Sequence, residues 1–131
     1  MLRTKCILLP KEALDGYRIS VMSRHTLNDG VTPDLRITRD SYDLHLSSLV
    51  PPLRLLGDYY KRGLPWVEFE RRYFNYLQLP SVWEQVLELA VESMINVFTL
   101  LCIEETSEYC HRRLLAEECK RLRPEIELYI R

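Results

Sequence analysis

The chain contains one long unbroken apolar run, and the pattern around this run predicts the centre of the fold. Residues 97–103 read VFTLLCI, the polar stretch EETSE follows, and a helical pattern of apolar positions begins near residue 108. An apolar run without alternation is typical of a strand that is buried on both faces, as in a parallel sheet. The pattern therefore predicts a strand over 97–103, a polar turn, and a helix over about 108–122.

Three further segments predict strands of the same sheet. Residues 5–9 form a short apolar run, whereas residues 17–22 and 125–130 alternate between apolar and polar positions. Because strands 17–22 and 97–103 are both apolar and both lead into polar turns, we expect them to be parallel neighbours. Strand 125–130 follows the last helix, so this helix and its two flanking strands should form a right-handed crossover. For residues 38–46, the pattern is compatible with either a short strand or a short helix.

The middle of the chain predicts three helices, each marked by a proline or a glycine. Gly63 has the position of a C-cap after the first helix, and Pro65 fits the first turn of the second. After Pro80, residues Ser81 and Glu84 have the spacing of a capping box, which predicts that the third helix is capped by Ser81. Together with the strands, these helices predict an α/β fold, with a small mostly parallel sheet flanked by helices.

Length and composition indicate a single domain. The chain has 131 residues, of which 47% are hydrophobic and 28% charged, which is typical of one globular domain over residues 1–131. A net charge of -1 gives no overall attraction to nucleic acids or anionic membranes. No apolar stretch reaches membrane-spanning length, and the run near the N-terminus is too short for a signal peptide. We therefore expect a cytoplasmic protein without a membrane partner, whose four cysteines are reduced.

The turn after strand 97–103 leads to the most reactive side chains of the chain. In open α/β sheets, ligands bind at the carboxyl ends of the strands, next to the N-termini of the following helices. Cys110 lies in the first turn of the last helix if Thr106 or Ser107 is the N-cap, and that position lowers a thiol pKa. Cys110 is therefore a candidate nucleophilic or redox thiolate, and the alternative is a small buried core residue.

Three other side chains lie near this turn, and each has two interpretations. His111 is either a base or a hydrogen-bonded structural histidine, and Glu104 is either a general acid or base or part of a solvated turn. Cys102 lies late in the apolar strand, where burial raises a thiol pKa, so we expect it to fill the core unless it faces the pocket at the carboxyl end of the strand. The spacing of Cys102, Cys110 and His111 matches no standard zinc pattern, so we predict no metal site and no cofactor.

Arginines near the same strand ends predict an anion site. Arg18 lies in strand 17–22, Arg24 follows this strand, and Arg112 lies in the last helix. If the two central strands are parallel, Arg24 and His25 emerge at the same edge of the sheet as Glu104 and Cys110, near Arg112. We therefore predict that Arg24, Arg112 and Arg18 bind an anion. The alternative is that these arginines form surface ion pairs with nearby aspartates.

These residues favour an enzyme or a ligand-binding protein for a small anionic or nucleotide-like compound. In this interpretation Arg24 and Arg112 hold the anion, Cys110 reacts, and Glu104 or His111 transfers protons. The first alternative is a non-catalytic protein-interaction module that pairs through its aromatic helices, for instance as a homodimer. A third hypothesis is nucleic-acid binding through the basic residues of the last helix, although the sequence contains no nucleic-acid motif.

Two segments near the C-terminal end resemble the signature of a known family. Residues 99–104 read TLLCIE and residues 110–116 read CHRRLLA, which is similar to the TLLCxE…CHRxxLA signature of the domain-of-unknown-function 488 family. Residues 16–24 and the helix around Trp66 and Tyr73 resemble its YeaO-like members. In the turn after strand 17–22, this chain reads RHTL at residues 24–27, whereas those members have an aromatic-Pro-Arg-Gly turn. The resemblance implies a small cytoplasmic α/β protein, and it implies no activity because the function of the family is not established.

Overall fold

Five parallel strands form the sheet of the protein, whose computed structural model describes residues 1–131. In chain order the strands are β1 (Leu2–Cys6), β2 (Tyr17–Ser20), β3 (Leu44–His45), β4 (Phe98–Cys102) and β5 (Leu128–Tyr129). They lie side by side in the order β3-β2-β4-β1-β5, and each neighbouring pair is parallel. The pairing of β2 with β4 confirms that the strands predicted at 17–22 and 97–103 are parallel neighbours.

Four helices complete the fold, and they are α1 (Leu53–Arg62), α2 (Trp66–Leu77), α3 (Pro80–Ser93) and α4 (His111–Leu122). Helix α4 contacts β1, β4 and β5, and it also packs against α2 and α3. These elements confirm the predicted α/β fold with a parallel sheet flanked by helices. Gly63 ends α1 in the left-handed conformation, at φ 72°, as predicted for a C-cap. None of the four helices has the length and apolar character needed to cross a membrane.

The strand ends differ from the prediction. The strand predicted at 5–9 lies earlier, because the chain turns after Cys6, where the N–H of Leu9 donates to the Cys6 carbonyl at 3.1 Å. Of the strand predicted over 125–130, only the two residues of β5 pair with the sheet. Residues 38–46 contain one turn of 3-10 helix and the short strand β3, so neither of the two open alternatives describes the whole segment.

Helix α3 starts earlier than its capping box predicts. Pro80 is the first residue of the helix, and Leu79 is an N-cap without a side-chain hydrogen bond. A proline has the φ of a first helical turn already set and lacks the N–H that this turn would leave unpaired. The helix therefore begins before Ser81, and the predicted capping box between Ser81 and Glu84 is wrong.

Helix α4 starts later than predicted, and this changes the position of Cys110. The first helical residue is His111, and Cys110 is the N-cap with an extended backbone at φ -135° and ψ 135°. The N–H of Cys110 donates to the Ser107 carbonyl at 3.2 Å, in a turn that precedes the helix. The predicted N-cap at Thr106 or Ser107 is therefore wrong, and Cys110 lies at the helix boundary instead of inside its first turn.

One buried carboxylate connects three neighbouring strands. Asp15 is fully buried, and Lys5 of β1 and Arg18 of β2 are buried around it. The Lys5 ammonium donates to both carboxylate oxygens of Asp15 at 3.2 Å, and the Arg18 guanidinium donates to Oδ2 at 2.5 Å. The hydroxyl of Thr99, in β4, donates to the main-chain oxygen of Asp15 at 2.6 Å. Asp15 thus balances two positive charges that the sheet buries.

Hydrogen bonds lower the pKa of Asp15 by more than desolvation raises it. Desolvation, the largest single influence, raises the pKa of Asp15, but bonds from the Glu12 N–H, Lys5 and Arg18 together lower this pKa. A carboxylate with a lowered pKa stabilises the fold above the ordinary carboxyl pKa. That contribution is lost as the pH falls through the lowered pKa of the folded state.

Asp15→Asn should destabilise the protein by about 3–5 kcal/mol, because Lys5 and Arg18 are then buried without a negative charge. The free energy of unfolding is to be measured by urea denaturation at several pH values. The difference from the wild type should shrink in acid, where the wild-type carboxylate is also protonated. The control Glu68→Gln removes an exposed ion pair with Arg71 and should leave the denaturation midpoint nearly unchanged. An equal decrease in the free energy of unfolding of both variants would contradict the role of Asp15.

Gly16 lies between Asp15 and β2 with φ 60° and ψ -133°, a backbone conformation that residues other than glycine rarely adopt. A Cβ atom there would lie 2.2 Å from the main-chain oxygen of Val97. Gly16→Ala should therefore cost about 3 kcal/mol or more, because this overlap adds to the backbone strain. Gly63→Ala, with positive φ but no atom within 4 Å of the new Cβ, should cost about 1 kcal/mol. Similar denaturation midpoints for the two variants would show that the overlap with Val97 has no effect.

Candidate functional site

Two thiols and an imidazole meet at the carboxyl ends of the central strands. Cys102 is the last residue of β4 and Cys110 is the N-cap of α4, so the turn between them returns to the same edge of the sheet. The sulfur atoms of both cysteines and a ring nitrogen of His111 lie within 4.8 Å of one another, and all three residues are buried. This edge is where ligands bind in open α/β sheets.

Arg112 lies beside the thiols and has no side-chain carboxylate partner. Its side chain is fully buried. Nη1 donates to the Glu104 carbonyl at 2.8 Å and to the Cys110 sulfur at 3.3 Å, and Nη2 donates to the main-chain oxygen of Arg131 at 3.2 Å. Nε has no partner. Among the side chains that bond this guanidinium, only Cys110 is able to ionise.

The two thiols have opposite pKa shifts, because one donates a hydrogen bond to the other. The bond from Cys110, the largest influence, lowers the pKa of Cys102 despite its desolvation, and the charge of Arg112 lowers it further. The same bond, followed by desolvation, raises the pKa of Cys110 above its ordinary range. The two thiols are therefore coupled, and the first to ionise does so more readily than an ordinary cysteine.

These shifts correct the prediction for Cys110 and qualify the one for Cys102. A lowered pKa was predicted for Cys110 from its place near a helix N-terminus and beside Arg112. The charge of Arg112 does lower it, but the hydrogen bond to Cys102 and desolvation outweigh that effect. Burial does raise the pKa of Cys102, as expected, but the bond from Cys110 outweighs desolvation and the net shift is downward. The sulfur that ionises first is therefore that of Cys102.

The ring of His111 is held by a main-chain carbonyl. Nε2 lies 2.6 Å from the Val21 oxygen and 3.9 Å from the Cys102 sulfur. A carbonyl oxygen only accepts, so Nε2 carries the hydrogen and donates it to Val21. In this arrangement Nε2 is neither a base nor a free metal ligand, which favours the structural interpretation of His111. The bond also joins α4 to the chain just after β2.

The three sulfur and nitrogen atoms are of the types that bind zinc, but their surroundings favour a thiolate. The Nε2 atom of His111 is already a donor to Val21. The guanidinium of Arg112 lies 3.3 Å from the Cys110 sulfur, and its positive charge would repel a second cation there. The donor set is therefore arranged to stabilise a negative charge.

Glu104 and Tyr60 form the more exposed side of this cluster. The Tyr60 hydroxyl donates to Oε1 of Glu104 at 2.9 Å. The pKa of Tyr60 is raised, first by desolvation and then by the charge of Glu104, while the thiols of Cys102 and Cys110 contribute less. Tyr60 thus stays protonated at neutral pH, and Glu104 has one fixed donor next to the thiols.

Aromatic rings line the turn between β4 and α4. Tyr59 contacts Tyr60 and Trp66, with ring centroids 5.0 and 5.4 Å apart, and Trp66 contacts Tyr109 at 5.6 Å. Tyr60 is 57% exposed and Tyr109, directly before Cys110, is 53% exposed. The row of rings therefore has a solvent-facing tyrosine at each end, and both tyrosines adjoin the turn that carries the thiols.

The structure brings together only part of the predicted site. Cys110, His111, Arg112 and Glu104 are neighbours, whereas the other two arginines of the predicted anion site have different partners. Arg18 is buried with Asp15 and also donates to the Ser41 carbonyl at 2.9 Å. Arg24 is exposed and donates to the Gly30 carbonyl within its own loop at 3.2 Å. Neither shares a hydrogen-bond partner with Arg112.

Much of the positive charge of the last helix is paired. Arg113 bonds the Glu117 carboxylate at 3.0 Å, and Arg121 bonds the Glu118 carboxylate at 2.6 Å. Lys120 donates to two main-chain carbonyls near the end of the helix. Such pairing leaves little free charge for phosphate contacts, on which binding to nucleic acids mainly depends.

Sequence reasoning missed Tyr60 and treated Cys102 as a core residue, whereas the Cys102 sulfur lies within 4.8 Å of the Cys110 sulfur. Tyr60 reaches Glu104 from a helix far away in sequence, and nothing in the pattern of α1 marks its hydroxyl. The sequence does contain a signal for the position of Cys102. This residue ends a strand, and Cys110 lies at the start of the helix that follows. Two thiols at those positions meet at one edge of the sheet, and Arg112 lies one residue into the helix.

Comparison with known proteins identifies the family. The family model described as "Active DUF488-N3 subclade" matches residues 2–121, which include both signature segments, 99–104 and 110–116. No curated protein and no solved structure matches the chain. Because the match covers most of the chain, it confirms the resemblance read from the sequence. The protein therefore belongs to the domain-of-unknown-function 488 family.

Proposed function

We propose that the protein is an enzyme that uses the Cys102 thiolate as a nucleophile toward a small compound at the carboxyl ends of β2 and β4. One observation carries this proposal: the buried guanidinium of Arg112 bonds no side-chain carboxylate, and instead bonds the sulfur of Cys110, which lies within 4.8 Å of the Cys102 sulfur.

The electrostatics of burial support an ionised thiol. A positive charge that is removed from water is costly unless a negative charge or several hydrogen bonds compensate it. Arg18 has Asp15 for this purpose, whereas Arg112 has two main-chain oxygens and the thiols. The N-terminus of α4 also favours a negative charge at this place. A thiolate, unlike a thiol, is an effective nucleophile.

The neighbouring groups suit a two-step covalent reaction. The Cys102 thiolate would attack an electrophilic carbon of the substrate, and the covalent product would be released in a second step. Cys110 would hold the thiolate in place through its hydrogen bond. Glu104, fixed by the Tyr60 hydroxyl, is the group able to accept and return a proton. His111 would position α4 against Val21 without itself transferring protons.

The charge balance narrows the substrate class that the sequence suggested. Because the thiolate already compensates Arg112, this arginine is less available for an anionic ligand than we expected. Exposed aromatic rings, in contrast, flank the turn at Tyr60 and Tyr109. Rings of this kind stack on planar heterocycles. Of the two classes, we therefore propose a nucleotide-like compound in preference to a simple anion.

A second candidate function, a protein-interaction module, rests on a different surface. A groove of about 510 Å³ lies between α2 and α4, with apolar side chains such as Val67 and Phe74 on its walls. Both of these side chains are substantially exposed. Exposed apolar patches mark interaction sites in many proteins. A homodimer through this groove would need none of the thiols.

The thiolate should be visible in ultraviolet absorbance as the pH is raised. In the wild type, one thiol should ionise below the ordinary cysteine pKa, because of its bond from Cys110 and the charge of Arg112. Both Arg112→Gln and Cys110→Ala should raise that pKa, since each removes one of these influences.

Cys119 provides the control, because burial raises the pKa of its thiol to about 12. Cys119→Ala should therefore leave the low-pH part of the titration unchanged. An absorbance titration without a low-pKa thiol, or one that is insensitive to Arg112→Gln, would contradict the proposal. The measurement needs no reagent to enter the site, so the burial of the thiols does not limit it.

Tyr109→Ala should weaken binding of a nucleotide-like ligand by about 1–3 kcal/mol, the contribution of one stacked ring. Calorimetry with a panel of nucleosides and nucleotides measures this affinity. The control Tyr129→Ala removes an equally exposed ring on the edge strand β5 and should have no effect. If no member of the panel binds, or if both variants bind equally weakly, the nucleotide-like class is wrong and the interaction module becomes the stronger candidate.

A further inference from the structure

We propose that Cys102 and Cys110 form a reversible disulfide when the protein meets hydrogen peroxide, so that the site is also a two-cysteine redox centre. This inference goes beyond the proposed function, but it rests on the same thiolate. It assigns to Cys110 the part of a resolving cysteine, a role separate from holding the nucleophile in place.

The placement of the two sulfurs supports the pairing. Their sulfur atoms lie within 4.8 Å of each other, and a disulfide requires about 2.05 Å, so side-chain rotation must close the gap. One cysteine ends a strand and the other caps a helix, and neither lies inside a helical turn. Arg112, bonded to the Cys110 sulfur, stabilises negative charge during the exchange.

Cys6 is the competing partner, and its position argues against it. Cys6 of β1 lies directly opposite Cys102 of β4 in the sheet. Its sulfur, however, donates to the Ile103 carbonyl at 3.5 Å and does not belong to the cluster of Cys102, Cys110 and His111. Cys119 is also excluded as a disulfide partner, since its thiol donates to the Val86 carbonyl elsewhere in the core. Only Cys110 shares the cluster with Cys102.

The reaction balances with hydrogen peroxide as the oxidant. The Cys102 thiolate attacks one peroxide oxygen, the O–O bond breaks, and the departing hydroxide takes a proton to become water. Cys102 is then a sulfenic acid. The Cys110 sulfur attacks the Cys102 sulfur, the S–O bond breaks, and the hydroxyl leaves as a second water with the Cys110 proton. Two electrons pass from the thiol pair to the peroxide.

Oxidation would remove the nucleophile and the charge that balances Arg112 in the same step. A disulfide is uncharged, so the guanidinium would lose its anionic neighbour while it stays buried. The oxidised protein should therefore be unable to carry out the reaction proposed for the Cys102 thiolate, and a reducing agent should restore it. The pair would in this way couple activity to the presence of peroxide.

The test treats the reduced full-length protein with hydrogen peroxide and locates the modified cysteines by mass spectrometry. The wild type should lose two hydrogen atoms per chain and yield a cross-linked Cys102–Cys110 peptide, and dithiothreitol should reverse the change. Cys110→Ser should stop at a sulfenic acid on Cys102, which dimedone traps. Cys6→Ser and Cys119→Ser are matched controls and should form the same disulfide as the wild type.

A Cys6–Cys102 link, or a sulfenic acid that persists in the wild type, would overturn the inference. So would the absence of reaction until the protein is unfolded. The absorbance titration of the same samples separates the two proposals. A low-pKa thiol without the Cys102–Cys110 disulfide contradicts the redox centre alone, whereas the absence of that thiol contradicts the nucleophile as well.

Discussion

A positive charge buried among strands and helices must be balanced, and this requirement organises both ends of the sheet. Arg18 and Lys5 are balanced by the carboxylate of Asp15, whose main-chain oxygen also accepts a hydrogen bond from the Thr99 hydroxyl. Arg112 is buried to the same degree, but its ionisable neighbour is a pair of thiols. The first arrangement stabilises the fold and has no chemistry of its own. In the second, the negative charge that we propose lies on a sulfur, where it would be reactive.

The parallel topology determines where this sulfur lies. Because β4 is central and parallel to β1 and β2, its last residue, Cys102, reaches the edge at which the strands all end. The turn to α4 then returns the chain, so that Cys110 and Arg112 come back to the same edge. Residues from two successive elements thus meet without any long-range loop. Tyr60, from α1, and the Val21 carbonyl, just after β2, join the cluster from distant parts of the sequence.

The sequence was sufficient to predict the features of the fold that depend on the local apolar pattern and on the direction of the strands. The unbroken apolar run predicted a buried parallel strand, and the parallel pairing of β2 and β4 predicted that the side chains after β4 would gather at one edge. The role of Asp15 was not predictable in this way, because it depends on Lys5 and Arg18 meeting across two strands. The pKa order of Cys102 and Cys110 depends on how the two thiols lie relative to each other and to Arg112, which the sequence pattern does not contain. The early start of α3 at Pro80, in contrast, was readable from the proline itself.

The central claim is that a thiolate balances the charge of Arg112, and a double-mutant cycle tests it most directly. Arg112→Met removes the charge, replacement of Cys102 and Cys110 together by alanine removes the thiolate, and a third protein carries all the changes. The free energies of unfolding should be non-additive by about 0.5–3 kcal/mol in alkaline solution. Because the pKa of Cys102 is lowered in the folded state, this coupling should fall as the pH decreases through that pKa. Additive free energies at every pH would show that Arg112 and the thiols do not form an ion pair.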